Sequence, residues 1–208
     1  VERVIQENEA AVLVIVGTRT DTGAPVQGSG VCIDRAGHVL ATAHQVIGVK
    51  DLEGRRSDGA TCRLMPVEVQ ESTEYALLKS DIPLPAAARI GNADTLNSGA
   101  PLLSIAAPMN LEFSTVTGTV SHPKRTYRGY PVIQAVLMAG HGSSGGPVFD
   151  RDGALVGLIS GELTEADFTI VNRINNAYPM LRRHGISVPE PSADGTAEPE
   201  LIPAPDAN

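Results

Sequence analysis

The chain of 208 residues predicts an all-β fold. Short apolar runs of strand length, built from Val, Ile and Leu, recur along most of it. Turn signals punctuate them, as at Asp34-Arg-Ala-Gly37, Ser57-Asp58-Gly59 and Asp150-Arg-Asp-Gly153. Many short strands at this spacing argue for a sandwich or a pair of barrels and against βαβ units. Hydrophobic residues make up 42% of the chain, enough for one packed domain or two small barrels sharing an interface. Only 3% are aromatic and none is Trp, so the core has to be Val, Ile, Leu and Ala.

Taken in order, Val1–Asn8 reads as a short amphipathic helix, and Ala11–Thr18 is a continuous apolar run of strand length. Further strands are expected at Gly30–Ile33, His38–Ala43, Thr61–Val69, Ala76–Lys79, Pro101–Ala106 and Thr115–Ser121. Four more follow at Val132–Met138, Pro147–Asp150, Leu155–Ser160 and Phe168–Val171. A late helix is expected over about Ile174–His184, with Tyr178 and Leu181 on its apolar side and Gly185 to stop it. The tail, Pro189–Asn208, holds five prolines and five acidic residues and no Lys or Arg. Such a composition buries too little apolar surface to offset its ordering entropy, so the tail is expected to be disordered or polyproline-like.

The net charge is −8, and the tail carries most of it. Nothing basic suggests a nucleic-acid partner or a membrane surface. No apolar run reaches the ~18–20 residues of a membrane span. Cys32 and Cys62 stand without a CxxC or Cys/His metal pattern, and two buried thiols are favoured over a disulfide. The chain begins at Val1 with no initiator Met and no signal-peptide pattern, which reads as a processed or trimmed product.

Chemistry concentrates in Gly142-Ser143-Ser144-Gly145-Gly146-Pro147. Glycines on both sides let the chain turn tightly and leave room for a carbonyl beside the Ser144 hydroxyl. Gly142, Ser143 and Ser144 form the expected oxyanion loop, with the N–H groups of Gly142 and Ser144 as donors. A serine hydroxyl is a weak nucleophile and needs a base, usually a His held in one tautomer by an acid. His44 ends the apolar strand Val39-Leu-Ala-Thr-Ala and is the candidate base. His38, His122 and His184 read as surface or satisfied residues. His141, three residues before Ser144, is a candidate for the substrate rim.

Gly28-Ser-Gly-Val-Cys-Ile-Asp, followed by Gly37-His-Val-Leu-Ala-Thr-Ala-His44, resembles the opening of the trypsin-like peptidases, and within them the HtrA/DegP group. That group reads Gly-Ser-Gly-x-x-Ile, then Gly-x-Ile-Leu-Thr-x-x-His-Val-Val. Ser57-Asp58-Gly59, Gln134 ahead of Ser144, and Asp152-Gly153-Ala-Leu-Val-Gly157-Leu-Ile continue the match, which covers roughly residues 1–185. The resemblance implies two six-stranded antiparallel β-barrels, chymotrypsin-like, with short terminal helices. Barrel one would span about 10–90 and barrel two about 96–171, within a domain of residues 1–188 and ahead of the tail at 189–208. It implies a serine endopeptidase acting on proteins or peptides in an extracytoplasmic setting, with no metal or organic cofactor. No PDZ module lies within these residues.

The family's acid falls in Asp-(Leu/Ile)-Ala-Leu-Leu-Lys, where this chain has Glu74-Tyr-Ala-Leu-Leu-Lys79. Glu74 is therefore the candidate acid of a Ser-His-Glu triad, with Glu71 and Asp81 as less well spaced substitutes. Ser143 replaces the Asp that pairs with a new N-terminus in digestive relatives, which implies no zymogen switch of that type. By the same resemblance Met138 would floor the primary specificity pocket with Ala139 beside it, and Ile159, Ser160 and Gly161 would wall it. A flexible apolar floor favours small or medium aliphatic side chains. Gly142-x-Ser144-x-Gly146 also fits the nucleophile elbow of α/β-hydrolases, but a β-like run follows it and the candidate His precedes it. The remaining alternative is a protease-fold binding protein without catalysis, favoured only by Glu at position 74.

Overall fold

The computed structural model describes residues 1–140, 142–163, 167–190 and 200–201. Two closed six-stranded antiparallel barrels make up the fold, as expected. Barrel one contains β1 (Val12–Arg19), β2 (Pro25–Cys32), β3 (His38–Thr42), β4 (Val49–Arg55), β5 (Thr61–Gln70) and β6 (Tyr75–Ser80). They pair in the order β1-β2-β3-β6-β5-β4, and β1–β4 pairing closes the ring. Barrel two contains β7 (Pro101–Ala106), β8 (Ser114–Tyr127), β9 (Tyr130–Val136), β10 (Pro147–Phe149), β11 (Leu155–Leu163) and β12 (Phe168–Arg173). Its order is β8-β7-β10-β11-β12-β9, closed by β8–β9.

Helix α1 (Glu2–Asn8) lies where the sequence places it. The buried Asn8 amide donates to Val4 O at 3.0 Å and Gly153 O at 3.3 Å, which ties the helix to a turn of barrel two. The late helix opens as a 3-10 turn over Ile174–Ala177 and continues as α2 (Tyr178–Arg183). Most of the tail lies outside the described residues. The described pair Glu200–Leu201 forms β13, parallel to β8 at Arg125 and Thr126.

Beside β2, which begins at Pro25 rather than Gly30, and β11, which runs on to Leu163, two strands depart from the sequence reading. The first, β4, is absent from it, because only Leu52 and Gly54 of Val49–Arg55 are buried and charged Lys50, Asp51, Glu53 and Arg55 surround them. Its strand conformation comes from long-range pairing to β1 on one side and β5 on the other. The second, β8, runs on to Tyr127, past the expected end at Ser121. Pro123 sits where the β8–β9 register shifts, between His122 and Arg125, so it interrupts no regular ladder.

One continuous core joins the barrels, with Leu13, Leu40 and Leu77 from the first and Ile105, Phe149 and Leu158 from the second, all at most 1% exposed. Both cysteines are free and buried, and burial pushes the Cys32 thiol up to about 12. Polar bonds pin the interface. Tyr75 Oη donates to Asn172 O at 3.0 Å, and Asn172 Nδ2 donates to Thr73 O at 2.7 Å. Buried Arg173 pairs with Asp94 of the linker between the barrels at 2.6 Å. Replacing Tyr75 with Phe keeps the ring but leaves a buried carbonyl short of a partner. The expected loss is about 1–3 kcal/mol, read as a lower urea midpoint. An unchanged midpoint would mean that this bond adds nothing to docking.

Candidate functional site

Strand register brings the first two side chains together. On barrel one, Thr42 at the end of β3 pairs with Tyr75 at the start of β6. The residues just beyond that pair are therefore neighbours. Ala43 N donates to Glu74 O at 3.2 Å, and His44 N donates to Glu74 Oε1 at 3.2 Å. The same Glu74 oxygen is hydrogen-bonded to His44 Nδ1. His44 lies on a 3-10 turn, Ala43–Gln45, capped at Thr42 by the Gln45 side chain. Glu74 adopts the left-handed conformation, φ 58° and ψ 28°, at the end of the Glu71–Thr73 turn. Such a conformation is uncommon for Glu, and it is held by pairing on both sides.

Burial pushes the Glu74 carboxyl up, but the hydrogen bonds from the His44 ring and backbone, with the charges of His44 and Arg128, outweigh it. The net effect holds the group below the usual carboxylate range. Its charge is felt across the barrel boundary, where burial, and then Glu74, raises the Tyr130 phenol. The alternative acids lie elsewhere. Asp81 accepts from Arg63 N at 2.9 Å, and Glu71 is exposed on its turn.

Ser144 comes from barrel two, on the loop between β9 and β10. Ser143 N donates to Gly140 O and Gly146 N to Ser143 O, each at 2.8 Å. The loop is stitched to β11 by Gly145 N to Ile159 O at 2.8 Å and Ile159 N to Gly146 O at 2.9 Å. Gly142 has φ +95°, and a Cβ there would collide with Ala107 O. Gly145 has φ +77°, and a Cβ there would collide with Ser29 O and Gln45 Oε1. No side chain other than hydrogen fits at either position. Ser143 is 2% exposed, and its hydroxyl accepts from Gly140 N at 3.2 Å, so it braces the loop from within. Among the described residues neither the Gly142 nor the Ser144 amide has a hydrogen-bond partner.

His44, Ser144 and Gly142 line one cleft of about 220 Å³, together with Ile15, Arg19 and Gly28. Among the described residues no hydrogen bond joins the Ser144 hydroxyl to the His44 ring. Met138 and Ala139 line a different depression, of about 560 Å³, with Leu163, Phe168, Glu162 and Asp167. Met138 is 79% exposed there. Ile159 is buried, Ser160 Oγ donates to Ile170 O at 3.4 Å, and Gly161 faces open space. His141 lies outside the described residues. His38, His122 and His184 each meet a carboxylate, from Asp34, Glu200 and Glu68 respectively.

The sequence reading missed Ser29, Gln45 and Asn172. Ser29 Oγ takes Ala107 N at 3.2 Å and donates to Gly142 O at 3.4 Å. Gln45 Nε2 donates to Ser144 O at 2.7 Å. A serine between Gly28 and Gly30 on β2 was the available signal for Ser29; nothing local marks Asn172.

Protonation links Glu74 to stability. A carboxyl lowered in the folded state stabilises above its unfolded pKa, and that contribution is lost as pH falls through the folded value. The stability gap between wild type and Glu74→Gln should therefore be widest above the ordinary carboxylate range and close below it. Thermal melts of both proteins across pH check this, and a gap independent of pH would refute it.

Residues 28–158 match the trypsin-like peptidase domain family. A probable periplasmic serine endoprotease, DegP-like, from Pseudomonas savastanoi is 33% identical over 138 residues, covering 64% of this chain and 28% of the relative. Serine protease HTRA1 of Xenopus laevis is 31% identical over 140 residues, covering 63% of this chain and 30% of the relative. The chain thus spans less than a third of the curated relatives it matches. Among solved structures, the HtrA-type protease AlgWS227A with tripeptide superposes with a TM-score of 0.81 at 22% identity, over 89% of this chain and 64% of that one.

Proposed function

Because the chain belongs to the trypsin-like peptidase family, we propose that it is a serine endopeptidase working through a Ser144-His44-Glu74 triad. The observation that carries this reading is the His44–Glu74 pair opening onto the cleft that holds Ser144. Glu74 fixes the His44 ring with Nδ1 turned inward, which leaves Nε2 for the nucleophile. His44 takes the Ser144 proton as Oγ attacks the scissile carbonyl carbon. The oxygen that becomes negative is stabilised by the Gly142 and Ser144 amides of the Gly142-Ser143-Ser144 loop. Collapse breaks the C–N bond, and His44 returns its proton to the leaving amine. Water, activated by His44 in turn, then hydrolyses the acyl-enzyme.

Glu74 meets the imidazole from a left-handed backbone whose carbonyl is bonded to Ala43 N, which supports its reading as the acid. Substrates are proteins or peptides. A preference for small or medium aliphatic side chains before the scissile bond is proposed from the family resemblance, which assigns the primary pocket to Met138, Ala139, Ile159, Ser160 and Gly161. The periplasmic description of the DegP-like relatives supports a site of action outside the cytoplasm.

Three tests separate this reading from a protease-fold binding protein. Ser144→Ala should abolish casein cleavage and fluorophosphonate labelling with the fold intact, and turnover near wild type would sink the assignment. Glu74→Gln should lower kcat by roughly 10²–10⁴-fold, since an amide cannot stabilise the imidazolium, while Glu74→Asp retains more activity. Full activity in Glu74→Gln would remove Glu74 from the triad. A cleavage-site profile should favour Val, Ala, Leu or Met over Arg or Asp before the cut. An Arg/Lys-dominated profile would instead put Glu162 and Asp167 in control of the pocket.

A further inference from the structure

We infer that Gln45 is a positioning residue that sets Ser144 against His44, by donating its side-chain amide to the Ser144 carbonyl. The inference rests on the triad reading above and concerns what holds its two halves in register. Gln45 directly follows His44 on the same 3-10 turn. Its Oε1 accepts from Thr42 N at 3.1 Å and from Thr42 Oγ1 at 2.7 Å. Its Nε2 donates to Ser144 O at 2.7 Å. Chemistry fixes this orientation of the amide. Turned over, it would set N–H against the Thr42 N–H and oxygen against the Ser144 carbonyl.

The surroundings are cut to fit this side chain. A Cβ at Gly28 would fall on Gln45 Nε2, and a Cβ at Gly145 on Oε1, so two glycines open the channel through which the amide passes between the barrels. The Ser144 carbonyl takes a second bond from Ser29 N at 2.8 Å. Two donors on one oxygen hold the peptide plane after Ser144 and so restrict, together with the Ser144 ψ angle, the direction of its Cα–Cβ bond. Nucleophile and base share no direct hydrogen bond among the described residues, so their separation depends on such framework contacts. A nucleophile misplaced by an ångström can lose about 10²-fold in rate.

The test compares wild type with Gln45→Glu and Gln45→Met. Glu retains an acceptor for Thr42 but sets a carboxylate oxygen against the Ser144 carbonyl; Met keeps the length and neither bond. Both variants should lose about 10- to 100-fold in kcat, with KM within about twofold of wild type. Their fluorophosphonate labelling rates should fall by the same factor, measured well below each variant's melting temperature. Lower melting temperatures with kcat and labelling within about twofold of wild type would make Gln45 only a turn cap and overturn the proposal. In the unsubstituted protein the Gln45 side-chain amide protons should exchange more slowly than those of exposed Gln6, seen by NMR. Equal rates would overturn the proposal even if neither variant folds. A wild type that takes no label overturns the triad reading instead, and the exchange measurement still judges the Gln45–Ser144 bond.

Discussion

Docking of one closed barrel on another is the constraint on which the molecule depends. Each barrel satisfies its own strand ladders, and the two sheets remain separate. Between them, among the described residues, the backbone contributes only local bonds, Ser29 N to Ser144 O and the bridge of Ile90 with Leu155, yet the candidate base and acid belong to one barrel and the candidate nucleophile to the other. A shared apolar core supplies the attraction but little direction. Direction comes from a few buried polar contacts, each with a named donor and acceptor. Thr73 and Tyr75, which flank Glu74, are held by Asn172 of β12, and Ser144 is held by donors from Ser29 and Gln45. Every one of these contacts falls within a residue or two of a group proposed to react.

Electrostatics follows from the same arrangement. Glu74 is 17% exposed at its side chain, which would favour the neutral acid were it alone. Backbone and ring donors from His44 reverse that preference. The carboxylate stays charged because the turn carrying His44 offers it two N–H groups at once. A left-handed residue at this corner lets the chain end one turn, accept those donors and enter β6 without a gap in pairing.

Much of this was legible in the residues. The recurrent apolar runs gave the strand content, and the Gly-rich serine loop and the strand-end histidine gave two parts of the candidate site. Glu74 followed from a family pattern, since no local chemistry distinguishes it from Glu71 or Asp81. What escaped was whatever depends on partners distant in sequence. The strand β4 exposes too many charges to announce itself, and the segment ahead of Gly30 is extended only because β1 lies beside it. Gln45 shows only a capping-box spacing from Thr42, with no sign of its bond to Ser144, because that acceptor lies 99 residues away. Met138 is a caution of another kind. A position counted back from the nucleophile says nothing of how far the loop swings the side chain into solvent.

Cys32 and Cys62 are both free and sequestered inside barrel one. Burial holds the Cys32 thiol at a pKa of about 12, so it yields almost no thiolate near neutrality and little reactivity toward exchange. Among the described residues no disulfide ties one barrel or loop to another. No disulfide among the described residues has to form for this native arrangement to be reached. What holds the two barrels together among those residues is the shared core and the interface hydrogen bonds and ion pair.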